Sequence, residues 1–242
     1  MSITEASALL RLLQLASPAL PVGGYSYSEG LETLSQQGSL PNAAALEAWL
    51  TQELRYGMVR LETSIGLKGH QATARADTAA IAYWNDYLSA LRETEELRNQ
   101  SWQMGQSLKQ LLVQLDSDFE PLLPSTPCNF AIAFAVAAAQ WSLSPRETAL
   151  GYLYSWMNTN ISAGIKLIPL GQTAGQQIQQ RLYPELEAAS EAVLQHGQSE
   201  AGDSFEARFA QTTDLIPGEV CSWGLSLASM SHETLYSRLF RS

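Results

Sequence analysis

Three histidines and two cysteines are the side chains of this sequence most suited to hold a metal or act as base or nucleophile, and no two of them stand together. His232-Glu233 lacks the second histidine that a zinc-protease helix carries, because position 236 is a tyrosine. His70 and His196 are expected in surface or capping roles. Cys128 and Cys221 are too far apart for a CxxC half-site and too few for a disulfide framework, which reads them as reduced and structural. No metal site and no tightly bound cofactor is expected from this set.

Two glycine-containing turns invite chemical readings. Gly24-Tyr25-Ser26-Tyr27-Ser28 has a serine in a tight turn, but a nucleophile elbow needs glycine where Ser28 stands and a strand in front of it. The structural reading is a capping box, with Ser26 and Glu29 three residues apart opening a helix near Tyr27. A small-molecule enzyme using the Tyr25–Ser28 turn stays open as an alternative, its base to be supplied by tertiary contacts. Gly171-Gln172-Thr173-Ala174-Gly175 lacks the Lys-Ser/Thr pair that follows the second glycine of a phosphate loop. Gly171 and Gly175 instead permit close approach of another backbone, of the same chain or of a partner.

The end of the sequence is apolar: Leu225, Leu227, Met230, Leu235, Tyr236, Leu239 and Phe240 run almost to Arg241. Such a segment is either a last helix packed on its own domain or an arm that orders on a partner. Arg238 and Arg241 on an acidic chain favour docking, since aromatic anchors and arginine carry most interface energy.

These residues need elements to position them. Leucine and alanine far outnumber the β-branched Val and Ile, a composition that favours helix over strand. Apolar residues recur at helical spacing in Ala6, Leu9, Leu10, Leu13, then Met104, Leu108, Leu111, Leu112, Leu115, then Leu150, Leu153, Tyr154, Met157, Ile161. The run Ile178, Leu182, Leu186, Ala189, Val193 continues the pattern, with Pro184 expected to kink or split it. Ser144-Pro145-Arg146-Glu147 is a capping box with proline at its first helical position, and Asp77 and Thr94 open two further helices, the second solvent-facing at Glu95 and Glu96. Asp116 to Pro127, with three prolines, is the longest internal loop. The expectation is an all-α fold, residues 1–242 forming a single-domain bundle of roughly 9–11 helices, with 225–242 as a partner-binding tail.

Charge narrows the partners. Lys+Arg 14 against Asp+Glu 24 leaves a net −10, which opposes binding to nucleic acid and to anionic lipid. The strongly apolar stretch from Phe130 to Ala139 is half the length of a membrane span. With no basic segment ahead of an apolar one at its start, the chain is expected in the cytoplasm.

Three stretches together resemble the UreF family of urease accessory proteins: Leu12–Glu32 (LLQLASPALPVGGYSYSEGLE), Lys166–Gln176 (KLIPLGQTAGQ) and Ser229–Ser242 (SMSHETLYSRLFRS). Tyr25 stands where that pattern often has Phe, and Ser231 where it often has Arg. The resemblance implies a non-enzymatic, all-α homodimer that binds UreD (also called UreH), recruits the GTPase UreG, docks on apo-urease and couples GTP hydrolysis to nickel delivery. Nickel would be handled by the whole complex. Carried over by position, the resemblance places the UreD/UreH face at Tyr25, Tyr27, Met230, His232, Glu233, Tyr236, Arg238, Leu239, Phe240 and Arg241. It places the UreG or dimer face at Glu29, Lys166, Gly171, Gln172 and Gly175, with a buried Glu29–Lys166 ion pair as the structural alternative. A generic helical interaction module is the competing reading.

Overall fold

The run Phe130–Gln140 has no polar side, and a helix apolar all round is stable in water only if neighbours cover it on every side. In the computed structural model, which describes residues 5–197 and 222–241, this segment is the central helix. Numbering helices in chain order, it is α7, and every residue from Phe130 to Ala138 is buried. Around it pack α1 (Glu5–Leu15), α4 (Met58–Ala74), α6 (Glu95–Leu115) and α8 (Pro145–Leu167). Outside these lie α3 (Ala43–Tyr56) and α9 (Gln172–Gly197), which pack on each other and on α8, while α5 (Thr78–Leu91) lies on α4. The short α2 (Leu31–Gln36) and α10 (Trp223–His232) pack together at one end, against α8 and α6 respectively. The described residues form ten α-helices and two 3-10 turns and no strand, and one hydrophobic cluster reaches from Leu15 to Phe240.

The helix starts fall where the sequence puts them. Ser144 and Glu147 make the reciprocal capping box of α8, Asp77 accepts from the Ala80 N–H at 2.9 Å and Thr94 from the Leu97 N–H at 3.2 Å. The proline-rich stretch after α6 contains only a 3-10 turn at Ser117–Phe119, anchored by Phe119 edge-on to Trp141. Among the described residues no helix is long and apolar enough to cross a membrane.

Two expectations, the capping box at Ser26 and the surface or capping role of His70, are corrected. The capping box at Ser26 and Glu29 does not form: Gly24–Ser26 is a 3-10 turn, Tyr27 is extended, and α2 begins only at Leu31 behind Gly30 in the left-handed region. Two glycines and Glu29 itself, at φ 49, turn the chain before a helix can begin. The face Leu9, Leu10, Leu13 points to solvent, because α1 carries leucines on both sides and lies on the bundle through Leu12 and Leu15. Of the two outcomes expected at Pro184, a split does not occur: α9 continues through it, with Leu182 and Leu186 buried on either side. His70 is neither surface nor cap: it is buried, Nε2 lies 2.8 Å from the Leu143 carbonyl, and burial pulls its pKa down. Cys128 is buried and its thiol is pushed up to about 12 by that burial, as a structural cysteine should be. Cys221 and the side chain of His196 lie outside the described residues.

Candidate functional site

The turn that defeats the capping box is the floor of the site. Glu29, held in a conformation that non-glycine residues seldom adopt, points its carboxylate back into the bundle. There it accepts from Gln100 Nε2 on α6 at 2.9 Å, Trp156 Nε1 on α8 at 2.7 Å and Asn160 Nδ2 at 3.4 Å. Behind it Glu62 of α4 is ion-paired to Arg92 and accepts from Tyr152 Oη at 2.7 Å. A small cavity lies between these groups, lined by Glu29, Glu62, Arg92, Gln100, Tyr152 and Trp156. Burial, then the nearby Glu62, raises the pKa of Glu29, against the pull of Arg92 and the Trp156 and Asn160 hydrogen bonds. Tyr152 is raised well above its ordinary value by burial first and Glu62 second, so it stays a donor. The arrangement is a clamp: three N–H donors on two helices fix the turn that follows Gly24.

Glu29→Ala takes the acceptor from Trp156 Nε1, while Asn160 Nδ2 keeps the Trp156 carbonyl at 3.1 Å, but it also removes a carboxylate whose burial is unfavourable. The two effects partly offset, and the net cost is expected near 2 kcal/mol, read as a lower denaturation midpoint with unchanged helical content.

On the outer side of the turn lies the end of the chain. Glu32, in the first turn of α2 and only 3% exposed, accepts from the backbone N–H of Leu239 at 2.6 Å and of Phe240 at 3.0 Å. Its Oε2 also lies 3.0 Å from His232 Nε2. The Arg241 N–H donates to the Ser26 carbonyl at 2.9 Å, and Gln36 Nε2 to the Ser237 carbonyl at 3.3 Å. Phe240 is buried, with Lys166 Nζ over its ring at 5.4 Å and 3.4 Å from the Tyr25 carbonyl. α10 reaches this position because Gly30 has no side chain: a Cβ there would stand 3.0 Å from that of Ala228.

Tyr25, Met230, Glu233, Tyr236, Arg238, Leu239 and Arg241 are exposed, Tyr236 fully. His232 and Phe240 are buried in the chain's own fold, and so is Tyr27, whose hydroxyl donates to Gln103 at 2.5 Å. Glu29 and Lys166 form no ion pair; the first faces the interior and the second, exposed, sits on the chain end. Gly171 and Gln172 are exposed, whereas Gly175 is buried where a Cβ would come within 2.3 Å of the Ile165 side chain, so what it admits are the Ile165 and Ile161 side chains of α8 in the same chain. Glu32, Glu62, Arg92 and Gln103 were not legible as site residues. Glu32 lies in the quoted SEGLE stretch beside Glu29, and a second carboxylate among small and apolar residues was its one sequence signal.

The sequence model of the UreF family matches residues 40–183. Urease accessory protein UreF of a Nostoc species is 48% identical over 235 residues, covering 96% of this chain and 95% of that protein. The protein of the same description from a Synechocystis species is 46% identical over 249 residues, covering 98% of each. That from Chromohalobacter salexigens is 38% identical over 236 residues, covering 97% and 95%.

The chain belongs to the UreF family of urease accessory proteins.

Part of the site of this UreF chain lies outside the stretch its family model matches. The clamp residues Glu62, Arg92, Gln100, Tyr152 and Trp156 lie within residues 40–183, but the turn at Gly24–Glu32 and the chain end lie on either side of it. Among the described residues no three His, Cys, Asp or Glu side chains are grouped to hold a metal ion.

Proposed function

We propose that this chain is a non-catalytic scaffold of urease maturation in the cytoplasm. It dimerises, binds UreD/UreH through the chain end and the turn beneath it, recruits the GTPase UreG, and couples GTP hydrolysis to delivery of nickel into apo-urease. Nickel is the cargo of the assembly. One observation carries this reading: residues 236–241 are held on the turn by their backbone and by buried Phe240, while Tyr236 and Leu239 stand in solvent. Large apolar side chains held in water by a fixed backbone are the form that interface anchors take.

Light-scattering chromatography of the chain co-expressed with its cognate UreD and UreG tests the proposal. The expected result is a complex containing both partners and two copies of this chain, losing UreD when residues 229–242 are removed. A chain that elutes alone with or without those residues would leave it a helical module of another kind.

A further inference from the structure

We infer that Glu32 is the positioning residue that holds the chain end in its docking conformation. The surface so presented takes a protein partner whose apolar pocket is rimmed by carboxylates. The inference rests on the UreD reading above and goes beyond it in naming the latch and the chemistry of the opposing face.

Two neighbouring backbone N–H groups, of Leu239 and Phe240, converge on one carboxylate, and His232 closes on it from α10. Holding two successive backbone N–H groups on one carboxylate restrains the bend they form and, with it, which way each side chain faces. Phe240 goes in and Leu239, 65% exposed, goes out. A bond from a charged acceptor to a backbone N–H is among the stronger ones, and at 3% exposure this carboxylate is shielded from competing water. No other group described here accepts from both amides. Without it the segment keeps the Arg241–Ser26 and Gln36–Ser237 bonds, which restrain its ends but not the face it shows.

Charge identifies the partner's chemistry. The chain is strongly acidic overall, yet Lys166, Arg238 and Arg241 are exposed at or beside this segment, around Tyr236, Leu239 and Tyr25. A basic rim about aromatic and aliphatic anchors is complementary to an apolar pocket edged by Asp and Glu.

The test uses the full chain and its cognate UreD. Hydrogen exchange of the wild type, Glu32→Ala and Glu32→Gln is followed peptide by peptide, and affinity for UreD is measured at low and high salt. The expected result is exchange at residues 239 and 240 faster by about tenfold or more, unchanged protection of α4 and α7, and affinity for UreD reduced about tenfold. A merely structural role would move the protection of the whole bundle together. Glu32→Gln preserves volume and carries the same readouts if the alanine variant does not fold. Affinity that also weakens with salt supports the acidic rim; a salt-independent affinity overturns that part. Unchanged exchange at 239 and 240, or faster exchange with undiminished affinity, overturns the latch. Removal of residues 229–242 serves as the control: if UreD still binds, the reading of the chain end fails, a result distinct from failure of Glu32 alone.

Discussion

Glu53→Gln stabilises the chain at pH 8 and leaves its stability unchanged at pH 4.5. Glu53 lies on α3 facing the Gly57 bend, with its carboxylate where a residue-57 Cβ would otherwise stand, 2.2 Å from Oε2. It is 7% exposed, and its pKa is pushed up to about 8, by burial first and then by Glu29, Glu93 and Glu62. The folded chain therefore holds this proton more tightly than the unfolded one, whose value is 4.5. Below that unfolded value both states are protonated and the group contributes nothing. As pH rises towards 8 the unfolded chain releases the proton and the folded one does not, so stability falls across that window. The loss is on the order of 3–5 kcal/mol by linkage, and an amide of the same shape does not suffer it. Thermal melts of the two proteins between pH 4.5 and pH 8 decide the matter: curves that diverge with pH are expected, and parallel curves would refute the assignment.

Gly105→Ala is expected to be the most damaging single-methyl change in the bundle. Gly105 is on α6 where the chain enters α7, and a Cβ there would lie 2.0 Å from the Cys128 carbonyl oxygen and 2.7 Å from the Phe130 nitrogen. These are backbone atoms, fixed by a buried amide network in which Asn129 is bound to Asn85 and Ser101 and cannot move aside cheaply. In an exposed helix the same change would gain up to about 1 kcal/mol. Here overpacking against rigid backbone reverses the sign, at a cost on the order of 3 kcal/mol or more and a melting temperature lower by about 10 °C. A melt within two or three degrees of wild type would show that α6 can shift away from α7 without penalty.

Local rules worked where their cause was local. The capping box at Ser144 and the caps at Asp77 and Thr94 each need only a side chain and an amide three residues away, and each was legible in order. The same rule failed at Ser26 and Glu29, because φ at Glu29 and Gly30 is set by what lies behind them, on α6, α8 and α10. Periodicity marked helices at α1, α8 and α9, and its faces are buried on α8 and α9 but not on α1, since a pattern of leucines cannot say which of two apolar sides finds a neighbour. The three stretches that carry the family resemblance drew attention to the right region without showing how its parts meet. Glu32 is 200 residues in sequence from His232.

By itself the sequence determined the helical class, the helix boundaries that depend on caps and prolines, and, through the three quoted stretches, the family. Those properties follow from neighbours three or four residues apart or from composition summed over the chain. Only the tertiary structure decided that Glu29 is clamped inside rather than paired with Lys166, that Gly175 admits the chain's own α8, and that the chain end is latched by Glu32 with Phe240 inward and Leu239 outward. The physical reason is that a buried carboxylate must find donors wherever the fold brings them, and those donors lie on helices whose order in space no spacing rule records.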